Sequence, residues 1–496
     1  MSLSTKLTLA NGLEVDQPTG LFINGEFVAA QSGKTFETIN PTTEEVICAV
    51  SEADEADVNA AVEAASAAFK TWGFKTAPSA RAAVLFKLAD LIERDLDIIA
   101  AIETTDNGKV YAHAKGDVAL VVKVIRFYAG YADKIYGDVI HGNDGHFSYT
   151  RKEPIGVCGQ IIPWNFPLVM WSWKIAPALA TGNTVVLKSA ESTPLSALYA
   201  AKLAQEAGIP AGVLNIVSGY GKVGALMTNH PKIRKVAFTG STATGKQVLK
   251  SAALSNLKKI SLELGGKSPN IIFDDANLPN AISWATLGIF FNSGEVCAAA
   301  SRLYVQEGVY DEVVAALKQR AEALVVGDPF DQQTFQGAQT SKIQFDRVMS
   351  FIEAGKSEGA TLLTGGCRAQ DKGYFIRPTV FTDVKPEMKI VQEEIFGPVV
   401  VVTKFKALEE VIELANDSEY GLAAGVHTQD ISRAHYLAEN LHAGTVWVNT
   451  YNSFHISLPF GGFNQSGFGK EMGKDGLDSY IQTKAVRIMF DQAKLQ

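Results

Sequence analysis

Cys297 lies in the run Phe-Phe-Asn-Ser-Gly-Glu-Val-Cys-Ala-Ala-Ala-Ser-Arg at 290–302. A thiol is most useful to an enzyme as a nucleophile, which needs a reachable sulfur with thiolate character. Ser293, Gly294 and three alanines leave room for a substrate carbon to approach, and Phe290 and Phe291 suit an apolar floor. The alternative is plain packing, because free cysteine is among the most buried residue types. Glu263, bracketed by Leu262 and Leu264, is a candidate base. An apolar setting raises a carboxyl pKa towards the range a general base needs; a buried ion pair is the other reading. Asn165 sits between Pro163 and Pro167. Two prolines fix the local chain, so its amide can donate to a developing oxyanion, or close an Asx-type turn.

A second group of residues suits a dinucleotide. Gly-Ser-Thr-Ala-Thr-Gly at 240–245 follows an apolar run and opens a helical one. Backbone N–H groups at such a helix start attract phosphate, although the pattern lacks the middle glycine of GxGxxG and also fits an ordinary Ser cap. Lys188 and Glu191 follow the run Thr-Val-Val-Leu at 184–187. A carboxylate just past a strand is a usual partner for ribose hydroxyls; a surface charge pair is the alternative.

These residues need a scaffold, and the chain is long enough for two or three domains at 496 residues. It is 47% hydrophobic and 20% charged with a net charge of -8, which argues against nucleic acid as a partner. The four cysteines, Cys48, Cys158, Cys297 and Cys367, are far apart, so neither a disulfide framework nor a Cys-rich metal motif is expected. No metal site is expected. The N-terminal residues lack the pattern of a signal or transit peptide and no apolar stretch reaches membrane-spanning length, so a cytoplasmic protein without membrane contact is expected.

Residues 1 to about 50 read as β-rich, with a hairpin at Phe-Ile-Asn-Gly-Glu-Phe-Val, 22–28. Residues 52–135 read as helices. From 155 short apolar runs at 155–162, 184–187, 213–217 and 235–239 alternate with helical windows starting near Pro194 and Gly221, the mark of a parallel βαβ sheet. A Gly-rich joint at 264–269 precedes a second alternating region from 270 to 450. Residues 140–154 and 480–490 read as extended segments outside both. The expected fold is α/β: a Rossmann-like cofactor-binding domain (1–135 and 155–266), an α/β catalytic domain (267–475) and a small β oligomerisation extension (136–154 and 476–496).

The chain resembles the NAD(P)-dependent aldehyde dehydrogenase superfamily, and is most similar to the non-acylating tetrameric class of cytosolic and mitochondrial acetaldehyde-oxidising enzymes. The resemblance rests on Pro-Trp-Asn-Phe-Pro (163–167), Val-Leu-Lys-Ser-Ala-Glu (186–191), Phe-Thr-Gly-Ser-Thr (238–242), Leu-Glu-Leu-Gly-Gly-Lys-Ser-Pro (262–269), Asn-Ser-Gly-Glu-Val-Cys (292–297), Glu-Glu-Ile-Phe-Gly-Pro (393–398) and Pro-Phe-Gly-Gly-Phe (459–463), in family order. It implies that Cys297 attacks an aldehyde to give a thiohemiacetal and then a thioester. Asn165 and the Cys297 N–H are implied to hold the oxyanion. Glu263 is implied to activate the hydrolytic water and to assist in deprotonating Cys297.

For the cofactor, NAD with NADP as an alternative, the resemblance implies Lys188 and Glu191 at the adenosine ribose, Gly240 and Ser241 at the pyrophosphate, and Glu394 and Phe396 at the nicotinamide ribose. Trp164, Gln344, Ile161, Gly221 and Leu264 complete that set. Phe166, Met170, Trp173, Phe291, Phe454 and Phe460 match tunnel positions, implying uncharged aliphatic or aromatic aldehydes, acetaldehyde-like ones favoured. A homotetramer built as a dimer of dimers is implied. Coenzyme A-acylating relatives lack the glutamate, so a free acid product is implied; a thiol hydrolase would leave the dinucleotide segments idle. No His or Arg neighbours Cys297 in the motif, so Glu263, bound water and Asn165 are expected to lower its pKa.

Overall fold

The computed structural model describes residues 3–142 and 144–490. Asn143 and residues 491–496, the end of the expected oligomerisation extension, lie outside the described residues. Two sheets organise the chain. The first contains five parallel strands, β1 (Val157–Ile161), β2 (Thr184–Lys188), β3 (Leu214–Val217), β4 (Lys235–Thr239) and β5 (Lys259–Glu263), in the order β5-β4-β1-β2-β3. Helices cross between them: α1 (Pro167–Ala180), α2 (Leu195–Ala207), α3 (Gly221–Asn229) and α4 (Thr242–Ser255). β1 to β4 are buried along their full lengths, which is why each reads as a continuous apolar run and not as an alternation. The hairpin Leu21–Ile23 and Glu26–Val28 extends the sheet beyond β3. Its turn needs two left-handed residues, and Asn24 (φ 55°) and Gly25 (φ 83°) supply them.

The chain leaves the first sheet at Glu263 and enters the second at Pro269, so the Gly-rich joint is where it changes sheets. The second sheet runs β8 (Thr379–Thr382), β9 (Val399–Phe405), β7 (Arg302–Gln306), β6 (Pro269–Ile272), β10 (Ala423–His427) and β11 (Thr445–Val448), all parallel, with Thr361–Thr364 antiparallel at one edge. One short piece crosses back: Gly467–Phe468 pairs antiparallel with β5. It ties the end of the second region to the strand that carries Glu263. The largest core is continuous across both sheets, taking in Val185 and Leu187 from one and Leu303 and Val305 from the other.

α1 is buried from end to end. Pro167 starts it where a missing N–H costs nothing, and each of Trp171 and Trp173 gains roughly 2–3 kcal/mol from burial. The helix Tyr111–Ala129 packs against α1. Outside both sheets, Ile481–Met489 pairs with His146–Pro154 over nine residues, and Val139–Ile140 adds a third strand. Val139, Ile140, Phe147 and Ile488 are exposed on it. Among the described residues no helix is long and apolar enough to cross a membrane.

Candidate active site

Cys297 follows a strained turn. Asn292, Ser293 and Gly294 are consecutive left-handed residues, with φ of 49°, 57° and 73°. Non-glycine residues hold that conformation only when surroundings impose it. Here Gln339 Nε2 donates to Ser293 O (3.0 Å), Ser293 Oγ to Gly337 O (3.1 Å), and Asn292 Nδ2 to Asn165 O (3.2 Å). A side chain at Gly294 would collide with Gly397. Beyond the thiol, Tyr451 donates its hydroxyl to Ala298 O at 2.9 Å. Cys297 is therefore gripped from both sides of the chain.

Cys297 and Glu263 line one cavity of about 280 Å³, together with Phe166, Met170, Trp173, Phe291, Phe454 and Phe460. All six expected tunnel residues meet there. Trp173, Phe454 and Phe460 pack edge to face, with centroids 5.1–6.1 Å apart. Leu120, Val169, Val296 and Asn452 also line it, as do the polar groups Asp117, Thr239 and Glu471.

Glu263 is buried and neither carboxylate oxygen has a protein partner. Burial first, and then the Glu471 charge, hold its pKa well above the ordinary carboxyl value; Lys174 and Lys470 oppose this. The buried-ion-pair reading of Glu263 is thus not what the geometry shows. The ion pair beside it is Lys174 with Glu471, both buried, with Lys174 Nζ also donating to Thr239 Oγ1 at 2.6 Å. The sequence reading missed this pair; a lysine inside the apolar run Trp171-Ser-Trp-Lys174-Ile-Ala was the available signal.

Two expectations need correction or refinement. Burial first, and then the Glu263 and Glu394 charges, raise the Cys297 thiol to about 12; the opposing groups are the backbone N–H of Ala298 and its own N–H. Glu263 was expected to lower this pKa, but a carboxylate charge repels a thiolate, so its effect has the opposite sign. Asn165 Nδ2 donates to Glu295 O at 2.9 Å. That bond uses one of the amide's two hydrogens, and Asn165 is not among the groups that lower the Cys297 pKa.

The cofactor candidates fall at the C-terminal edge of the first sheet. β1 has β2 on one side and β4 on the other, so the winding reverses there, the place where parallel sheets bind nucleotides. Ile161 ends β1, Lys188 ends β2, and Gly240 and Ser241 follow β4. Ser241 caps α4, accepting from Thr244 N–H at 3.3 Å, so the capping alternative also holds. Lys188 is buried and pairs with Glu191 at 3.2 Å. Gly221 opens α3, and a side chain there would meet nothing within 4 Å. The open glycine, the helix start and a charged pair past a strand fit a dinucleotide.

A second cluster connects this edge to the thiol. Glu394 Oε1 accepts from Gly266 N–H at 3.0 Å, and a side chain at Gly265 would run into its carboxylate. Burial raises Glu394 to about 7. Gln344 Nε2 donates to Phe396 O at 2.5 Å, and the Trp164 and Phe396 rings meet edge on at 5.2 Å. Leu264, which also lines the cavity, continues the chain from Glu263 into Gly265 and Gly266.

A doubly wound sheet that meets a second α/β sheet around a thiol-bearing cavity defines a dinucleotide-dependent α/β enzyme. The aldehyde dehydrogenase family pattern matches residues 27–486. An aldehyde dehydrogenase of Aspergillus niger is 57% identical over 492 residues, covering 99% of each chain. A mitochondrial aldehyde dehydrogenase of Rattus norvegicus is 53% identical over 477 residues, 95% of this chain and 92% of that one. The NAD+ complex of an aldehyde dehydrogenase from Bacillus cereus superposes with a TM-score of 0.94 at 53% identity, covering 95% and 97% of the two chains. The chain belongs to the aldehyde dehydrogenase family. It is an oxidoreductase that acts on aldehydes with NAD(P).

Proposed function

We propose that the protein oxidises small uncharged aldehydes to free carboxylic acids through a covalent adduct on Cys297. The observation that carries this is the single cavity in which an apolar wall encloses Cys297 and an unpartnered, buried Glu263. Cys297 Sγ forms a bond to the aldehyde carbon, and the free Asn165 N–H and the Cys297 N–H receive the negative charge that moves to oxygen. Bound NAD(P) supplies the hydride acceptor. On the protein side the acyl group is then a Cys297 thioester, open to attack by water. Glu263, ionised, takes a proton from that water; the C–S bond breaks and the sulfur regains a proton. Ile161, Trp164, Lys188, Glu191, Gly221, Gly240, Ser241, Leu264, Gln344, Glu394 and Phe396 would hold NAD(P). Glu191 repels a 2′-phosphate, which favours NAD.

The walls argue against ω-carboxylate substrates. The cations beside the lining, Lys109 and Lys174, are already engaged, by Asp117 at 2.5 Å and by Glu471. Acetaldehyde-like substrates follow. We divide the chain as the sequence suggests, with residues 1–135 and 155–266 binding the cofactor, 267–475 carrying the thiol, and 136–154 with 476–496 joining subunits. The exposed apolar residues on the three-stranded arm support a homotetramer assembled as a dimer of dimers. Four free cysteines support a cytoplasmic setting.

The test is NADH formation from propanal and NAD. Cys297→Ala abolishes it while NAD still binds, and Glu263→Gln gives one burst of NADH per active site followed by little turnover. Sustained NADH production by Cys297→Ala overturns the proposal.

A further inference from the structure

Asn452 lines the aldehyde cavity, yet neither end of its side-chain amide has a protein partner although both atoms are buried. The other polar lining groups are accounted for. Asp117 pairs with Lys109, Thr239 and Glu471 hold Lys174, and Glu263 and Cys297 are the reacting groups. An unpaired buried amide is costly unless something bonds to it. The backbone that carries the amide is also held in place. Its residue is left-handed (φ 52°), and its carbonyl accepts from Phe454 N–H at 3.2 Å. On one side Tyr451 is anchored to Ala298 O, and on the other Ser453 O accepts from Trp447 Nε1 at 3.1 Å.

Resting on the aldehyde-oxidation reading above, we propose that Asn452 is a specificity residue selecting short aldehydes that carry a hydroxyl group. The amide offers one donor face and one acceptor, both unused. A hydroxyl answers both, since it accepts from Nδ2 and donates to Oδ1. A hydrocarbon chain answers neither and leaves the amide stranded among Trp173, Phe454 and Phe460. Tyr451, next in the chain, touches the residue that follows Cys297, so amide and sulfur face one small space. The hydroxyl and the aldehyde therefore belong to one short molecule.

The alternative is that asparagine is there for its backbone, because it tolerates left-handed φ. Asn452→Gly separates the two, keeping the backbone and removing the amide. The measurement is kcat/KM for two matched pairs, glycolaldehyde against propanal and 3-hydroxypropanal against butanal. Comparing each ratio between proteins cancels the hydration of the free aldehydes. In Asn452→Gly the hydroxyl-to-alkyl ratio falls about tenfold for both pairs, the worth of roughly one or two neutral hydrogen bonds. The urea midpoint of the variant reports an intact fold, and the alkyl values serve only as the denominator of each ratio. An unchanged ratio with normal propanal turnover overturns the hydroxyl proposal alone, leaving the amide a backbone or water-binding device. Absence of NADH from all four aldehydes in the unaltered protein overturns the underlying function as well.

Discussion

In the cofactor-free protein Cys297 should be a sluggish thiol, and the size of the effect follows from its surroundings. Burial together with the Glu263 and Glu394 charges carries its pKa from 9.0 to about 12. At equal pH that leaves about 10³-fold less thiolate than an ordinary cysteine holds. A more basic thiolate is the better nucleophile, and a Brønsted slope of about 0.4–0.5 recovers roughly 16- to 32-fold. The net expectation is alkylation roughly 30- to 60-fold slower than that of a cysteine peptide at about pH 7.5. The assay is iodoacetamide labelling without NAD, followed on the peptide containing Cys297 by mass spectrometry. Its rate should climb about tenfold per pH unit to about pH 10, where the reference peptide has already levelled off near 9. Glu263→Gln removes one of the two carboxylates that raise the thiol, so its profile moves to lower pH. A Cys297 rate that levels off below about pH 9 would refute the reasoning, because the two backbone N–H groups would then outweigh burial. Slower labelling in Glu263→Gln would show the carboxylate acting as the thiol's base before cofactor arrives.

Glu471→Gln should extend turnover to lower pH. Glu263 works as a base only when ionised, its pKa is raised by burial and by Glu471, and Lys174 lowers it; losing the Glu471 charge leaves Lys174 unopposed, so the acid limb of kcat moves down by about one unit. A limb that stays in place or moves up refutes the coupling. Gly461→Ala should damage the same step, since the new methyl would strike Glu263 Oε1 and Gly469 O at a residue with φ 153°. We expect steady-state NADH production to fall at least about tenfold with the initial burst kept, and a stability loss of about 1–3 kcal/mol by urea unfolding.

What the sequence made legible was local. Buried parallel strands are continuous apolar runs, so β1 to β4 stood out, and Asn24-Gly25 announced a left-handed turn that the backbone adopts. The joint at 264–269 was visible because glycines interrupt two regular patterns. The residues of the cavity wall that escaped notice came from elements distant in the chain. Leu120 and Asp117 reach the cavity only because their helix packs on α1. Lys174 and Glu471 are 297 residues apart, and nothing near Glu471 marks it as a partner. The return of Gly467–Phe468 to β5 joins them, and two residues are too few to carry a strand pattern.

The sign of the Cys297 correction reaches further than one pKa. Two acidic groups, Cys297 and Glu263, share a largely apolar cavity beside the Lys174–Glu471 ion pair. Each negative charge there makes the next one harder to form, so their protons leave in steps that belong to the group of sites and not to single residues. Glu263 ionises ahead of the thiol, at a pKa raised by burial. In the proposed mechanism the hydrolytic step needs only Glu263 ionised, whereas attack needs the thiolate. The same burial that poises the carboxylate for water therefore works against the nucleophile, and the two N–H groups at Cys297 and Ala298 are the protein's own counterweight.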